Sequence, residues 1–453
     1  MSSIAERNST DLASFAPVQL EVNPGHAWLN DLRRSALERF RGVGFPAPGN
    51  REWEQWRFTQ LRPITETKFT PAIFDERVSL EGYGFGAKAL VELVFVNGHF
   101  APKLSRLGKL PRGVTVGSLA DALAADGAAL APHLGRHAKV ERNPFVALNT
   151  SHVRDGAVIT IPSNVTIEGA IHLLFVSTAS AAPTSSHPRV LVVAGDNVEA
   201  QIVESYVGRQ GVYFTNAVTE IVLGSDCRID HVKLQQESLD AYHVATMQVK
   251  LGRATQFVSH SITTGGRITR NDLNCEMAGE RAYATLNGLV LIGGVQHCDN
   301  HTLLDHAEPN CPSHELYKHV LAGKASGVFK GQILVRKDAQ KTDSKQNSRT
   351  LLLSDDAYMN SMPALEIYAD DVKCTHGSTT GPVDEEQVFY LQSRGLSLDA
   401  ARHLMTYAFA ADVTRRIKCE PVRERIEDFM AAQHGLPRDL RINDLASFDD
   451  DLL

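Results

Sequence analysis

Between Asp155 and Val372 the chain carries almost no sustained helical period, and its turns recur at a nearly fixed interval. Gly195-Asp196, Gly224-Ser225-Asp226, Gly252-Arg253 and Gly279-Glu280 stand 29, 28 and 27 residues apart, and a later pair, Gly323-Lys324 and Ser354-Asp355, stands 31 apart. Between these turns lie short apolar or alternating runs at 157–161, 171–176, 189–193, 198–203, 218–223, 231–234 and 247–251. Alternation marks a strand, because successive side chains point to opposite faces. Self-similarity of this length, built from short strands, is the mark of a stacked solenoid. A parallel β-helix is the natural form: coils pair their backbones with the coils above and below, and Gly and Asp permit tight corners. An antiparallel sandwich would call for hairpin turns. The one clean hairpin turn, Asn97-Gly98 after the strand-like run 91–96, lies outside this stretch.

The flanks have a different texture. Residues 1 to about 22 read as loosely ordered. Trp28, Leu29, Leu32, Ala36, Leu37 and Phe40 recur at helical spacing, and Gly42, Gly44, Pro46 and Pro48 end that helix. The aromatic cluster Trp53, Trp56 and Phe58 reads as a packing anchor, and the Ala-rich run from Leu119 to Leu134 as helical. Gly82 to Ala87 fits G-x-G-x-x-A but does not follow a strand, so it reads as a loop and not a nucleotide site. After Pro382 the pattern turns helical. Asp384 caps a first helix, with Gln387 as capping-box partner and Val388, Phe389 and Leu391 as its apolar stripe. Gly395 ends it, Ser397 caps a second helix, and a third runs from Pro421 to Gln433 before Gly435. The acidic end, Asp449-Asp450-Asp451, reads as disordered. The expected organisation is an N-terminal, mostly helical α/β region with a β-hairpin over 1–150, a β-helix over 151–383, and a C-terminal helical region over 384–453.

Composition excludes several classes. A net charge of −7 argues against nucleic-acid binding as the main role. No run of 18 uninterrupted apolar residues suggests a membrane span, and Glu6 and Asp11 with no apolar core argue against a signal peptide. The six cysteines (227, 275, 298, 311, 374 and 419) form no C-x-x-C, which suits free thiols in a reducing compartment, the cytoplasm. There is no G-x-x-x-x-G-K-[ST] motif; the nearest string, Ala322-Gly323-Lys324-Ala325, lacks the upstream Gly and the Ser/Thr. No G-x-S-x-G elbow is present either. The chain is expected to bind no nucleotide and to be no enzyme.

Metal-ligating residue types concentrate late in the chain. Cys374 and His376 stand two apart in an extended segment, so their side chains share a face. Thiolate and imidazole suit iron–sulfur chemistry and zinc. Two ligands make an incomplete site. His297-Cys298 and Cys311-x-x-His314 could complete a closed zinc site if folding brought them close, though the spacing matches no zinc signature. The polar stretch from Asp299 to Lys345, like Arg270 to Asn274, reads most simply as side chains that bind one another and turn backbones along the solenoid.

The run Asp371-Val372-Lys373-Cys374-Thr375-His376-Gly377, followed by Asp384-Glu385-Glu386-Gln387-Val388-Phe389-Tyr390-Leu391 and Arg394-Gly395, resembles the SufB/SufD family of iron–sulfur cluster assembly proteins, in particular its SufD branch. The resemblance covers most of residues 50–410. Two features favour SufD over SufB: Gly377 stands where SufB-like sequences tend to have Glu, and the upstream segment Asp355-Asp356-Ala357-Tyr358 has no Cys where SufB carries its cluster-binding one. The resemblance implies a right-handed parallel β-helix core and a non-catalytic subunit. It implies pairing with a SufB-like paralogue and with a SufC-like ATPase that docks on the C-terminal helices. It also implies a transient iron–sulfur cluster at the paralogue interface, with His376 as a ligand and Cys374 as a neighbouring position. Self-association when alone is a further expectation. Two other readings stay open on the residues: a purely structural interaction solenoid, and a carbohydrate-active β-helix using Asp272 with Asp299 or Asp305 as paired carboxylates.

Overall fold

In a computed structural model, which describes residues 26–48 and 54–434, the middle of the chain is a parallel β-solenoid. The sequence readings at 1–22, Glu52-Trp53, Gly435 and the acidic end lie outside the described residues. Successive strands alternate between two sheets, so each coil contributes one strand to each. One sheet stacks Gly156–Ile161, Arg189–Ala194, Tyr213–Leu223, Tyr242–Leu251, Ile268–Met277, His297–His306 and Ser326–Val335. The other stacks Thr166–Val176, Glu199–Val207, Arg228–Gln236, Gln256–Thr263, Tyr283–Ile292, Pro312–Leu321, Asp343–Leu352 and Lys373–Pro382. Pairing between these strands is parallel and in register from coil to coil, apart from one register shift where Glu199–Val207 meets Thr166–Val176.

The corner glycines explain the period. A Cβ on Gly224 would sit 2.7 Å from the carbonyl carbon of Gly195, one on Gly252 2.5 Å from the carbonyl oxygen of Gly224, and one on Gly279 2.2 Å from the amide of Arg253. Stacked corners bring backbones closer than any side chain permits. Two residues past each of these glycines the chain enters the left-handed region, at Asn197, Asp226, Ala254 and Arg281, with φ of 54°, 59°, 54° and 61°. Gly323, in the string nearest to a phosphate loop, is a corner of the opposite edge with φ 66°.

Both outer faces are covered over the earlier coils, which is why the strands there rarely alternate cleanly between apolar and polar. Helix α1 (Ala27–Val43), helix α2 (Leu119–Leu130) and helix α3 (Pro144–His152) belong to the N-terminal region. Phe145 of α3 packs with Trp56, Phe40, Phe214 and Tyr242 over the first sheet. Trp56 is thus the packing anchor its aromatic context suggested. Helix α4 (Glu385–Ser393), helix α5 (Leu398–Thr414) and helix α6 (Glu420–His434) follow the solenoid. Tyr407, Ala410, Val413, Val422, Ile426 and Met430 cover Val203, Val232, Leu234, Ile262 and Leu289 of the second sheet. Asp384 accepts from the amides of Glu386 and Gln387, and Ser397 from that of Ala400, so the expected caps form.

The Asn97-Gly98 turn joins Val91–Val96 to His99–Phe100 as an antiparallel pair, with φ of 54° and 82°. Val91–Val96 also pairs in parallel with Thr166–Val176. It therefore closes one end of the second sheet, and Thr115–Ser118 closes the first by pairing antiparallel with Gly156–Ile161. The N-terminal region is thus a cap on the solenoid. At the other end, Lys373–Pro382 is the last strand of its sheet, and the short strands Tyr358–Ser361 and Ala364–Ile367 are the last of theirs. Among the described residues these edges have no further partner strand.

Candidate functional site

The open end carries the Cys–His pair. Cys374 pairs in register with Ser344 and His376 with Gln346. Along Asp343–Leu352, Ser344, Gln346, Ser348 and Thr350 are buried while Lys345, Asn347 and Arg349 are exposed. In-register parallel neighbours point the same way, so Cys374 and His376 continue the interior row, with no coil beyond them among the described residues. The expected shared face is present. The two residues nonetheless differ. Cys374 is half-buried against the core, and that burial pushes its thiol up from the ordinary value. His376 is exposed. Ser378 of the same row donates to Ser361 at 2.8 Å, tying the last strands of the two sheets together.

The row beneath is polar and incompletely paired. Gln346 Nε2 donates to Glu315 Oε2 at 2.6 Å, while Gln346 Oε1 has no hydrogen-bond partner. The hydroxyls of Ser348 and Thr350 also lack one. Burial pushes the Glu315 carboxyl up to about 7. Glu315 and Gln346 are functional candidates that the sequence did not single out.

The closed zinc site is not formed. Cys298 and Cys311 are fully buried, and Cys311 Sγ donates to the carbonyl of Gly279. Burial pushes these thiols up to about 12 and about 11. Among the described residues no group of three His, Cys, Asp or Glu could hold a metal ion. The carboxylates considered for glycoside chemistry are engaged elsewhere. Arg270 is buried between Asp272 at 2.7 Å and Asp299 at 2.5 Å, and its guanidinium lies 4.2 Å over Trp56. Asp299 also accepts from Thr59, and its carboxyl is held well below the usual range, although burial alone would raise it, because Arg270 and His301 face it. Asp305 is paired with Arg336 at 2.7 Å. These polar residues bind one another along the solenoid.

On the C-terminal helices, Val388 is buried with Val383 and Ala401, but Phe389 is 71% exposed. The expected apolar stripe of α4 is therefore narrower, because this short helix lies at the margin and buries one edge only. Phe389, Tyr390 and Leu398 together leave apolar surface uncovered.

The solenoid is thus capped at one end, and at the other Cys374 and His376 lie on a terminal strand with no further partner strand among the described residues. Its family follows from comparison. Residues 175–409 match the SufBD core domain of the SUF iron–sulfur cluster assembly system, and residues 20–173 match the SufBD N-terminal region. An iron–sulfur cluster assembly SufBD family protein of Synechocystis is 32% identical over 392 residues, covering 84% of this chain and 86% of its own length. The iron–sulfur cluster assembly protein SufD of Escherichia coli is 29% identical over 86% of this chain and 89% of its own length. That of Bacillus subtilis is 25% identical over 88% and 92%. The chain belongs to the SufBD family of iron–sulfur cluster assembly proteins.

Proposed function

We propose that this chain is the SufD-like, non-catalytic subunit of a cytoplasmic assembly complex. It pairs through its open end with a SufB-like paralogue and carries a SufC-like ATPase on its C-terminal helices. The cluster is cargo: it is built at the paralogue interface, with His376 supplying one ligand and Cys374 standing beside it. The observation that carries this reading is the place of His376, exposed on the terminal strand at an edge with no partner strand among the described residues. An unpaired strand edge is a template for a second chain. A two-ligand site is incomplete in one chain and complete when a partner adds its own, and weak shared ligation suits a site that must release what it holds. The half-buried Cys374, whose thiol is harder to ionise than usual, supports His376 as the principal ligand here. The uncovered Phe389, Tyr390 and Leu398 support docking of the ATPase on the α4–α5 pair.

The test is co-expression with candidate SufB and SufC, anaerobic purification, and iron and sulfide analysis of wild type against His376→Ala. The expected result is an intact complex that loses most of its cluster on substitution. A complex that loads equally well without His376 would leave this chain a structural partner and move the ligation to the paralogue.

A further inference from the structure

We infer that Gln346 is a positioning residue that fixes the orientation and tautomer of the His376 imidazole. Glu315, Gln346 and His376 occupy the same register position in three consecutive strands of the second sheet, so they form a column that ends at the open face. Neighbouring strands lie roughly 4.8 Å apart, within reach of an amide and a ring. The primary amide of Gln346 has two ends. Its Nε2 is committed to Glu315 Oε2 at 2.6 Å. Its Oε1 is buried and has no partner, although the residue as a whole is only 1% exposed. A buried acceptor left unpaired costs about 1–3 kcal/mol, and the next residue up the column is His376, on the terminal strand. The anchoring of Nε2 leaves Oε1 as the free end of the amide. A ring N–H donated to Oε1 satisfies it and leaves the other ring nitrogen, with its lone pair, as the outward acceptor. That bond is the substance of the inference. Gly331, across the interior, makes room for it: a Cβ there would lie 2.1 Å from Gln346 Nε2. Outer partners of metal-binding histidines act in this way, setting ring orientation and basicity.

The importance of this column for cluster assembly rests on the reading of His376 as a ligand, so the test separates the two. The free protein is labelled with ¹⁵N-histidine and studied by NMR at a pH where the ring is neutral, with the His376 signals assigned by their loss in His376→Ala. Wild type should show one tautomer in excess of the balance of a free imidazole, and Gln346→Met should return it to that balance. Gly331→Ala, which displaces the amide without removing it, should do the same and serves if Gln346→Met does not fold. Identical tautomer balance in wild type and in either folded variant overturns the inference. In the co-purified complex, Gln346→Met should lower bound iron by about tenfold. If the tautomer moves while neither Gln346→Met nor His376→Ala changes bound iron, the positioning stands and the ligand reading falls.

Discussion

Glu315 shows how much chemistry a solenoid interior hides from the sequence. In Pro312–Leu321 polar side chains occupy both faces, because Lys318 on the outer face is covered by α5 and paired to Asp412 at 2.9 Å. No alternation marks Glu315 as interior. Cys374 and His376 could be found because their spacing and residue types are unusual together. Gln346 could not, because its role follows only from which residue the next coil lays upon it. Burial raises the Glu315 carboxyl from 4.5 to about 7. The native state then holds a proton that the unfolded chain has released across that window. Stability contributed by this group therefore falls as pH rises from about 4.5 to about 7 and is flat above, a loss of on the order of 3 kcal/mol. Glu315→Gln keeps the shape and cannot ionise. Its advantage over wild type should widen by up to that amount between pH 5 and pH 8, read from urea midpoints at a series of pH values. Parallel curves for the two proteins would mean that Glu315 does not titrate in this range.

At the scale of elements, the coil length was legible and the coil composition was not. Gly195, Gly224, Gly252 and Gly279 recur because stacked corners exclude a Cβ, so the closest backbone approach wrote itself into the sequence as a period. Corner spacing says nothing about how many strands share a coil, and two sheets emerge only from the pairing. Nor could Val91–Val96 be placed: its hairpin turn is local, but its parallel partner Thr166–Val176 is remote in sequence. The corner argument predicts an asymmetry between glycines. Gly252→Ala must push its Cβ to 2.5 Å from the Gly224 carbonyl oxygen or move the corner, and it should cost about 1–3 kcal/mol. Gly381→Ala meets nothing within 4 Å and should stay within about 0.5 kcal/mol of wild type. Denaturation midpoints of the two variants check this, and equal effects would show that the corners yield more readily than the stacking implies.

For the molecule as a whole, the decisive feature is that its two ends differ. The first coil is closed by two strands from the N-terminal region, Val91–Val96 in parallel and Thr115–Ser118 antiparallel, and the C-terminal helices tie back to that region, with Arg425 stacked 4.9 Å over Phe85 and Lys88 paired to Glu424. Phe85 in turn stacks on the buried His172 at 3.9 Å. These contacts cap one end and brace one side, and among the described residues they leave the far end uncovered. There Tyr358 is 54% exposed and Tyr368 64%, beside Ile367 and the free edge of Ala364–Ile367. Exposed apolar residues on an unpaired edge are what a monomer avoids and an interface uses. Lysines at this edge should therefore block pairing without disturbing the fold, since Tyr368 is mostly exposed and Ile367 lies outside the buried core. The variant Ile367→Lys with Tyr368→Lys is expected to keep its thermal midpoint and to lose at least tenfold in affinity for the SufB-like partner, about 1.4 kcal/mol. It should also lose any self-association seen by light scattering. Charges at Phe389 and Tyr390, on the α4 patch, should leave that pairing intact and weaken only capture of the ATPase. If the edge lysines leave pairing unchanged, the paralogue contacts another surface, and the open end, with His376 on it, would face solvent in the complex.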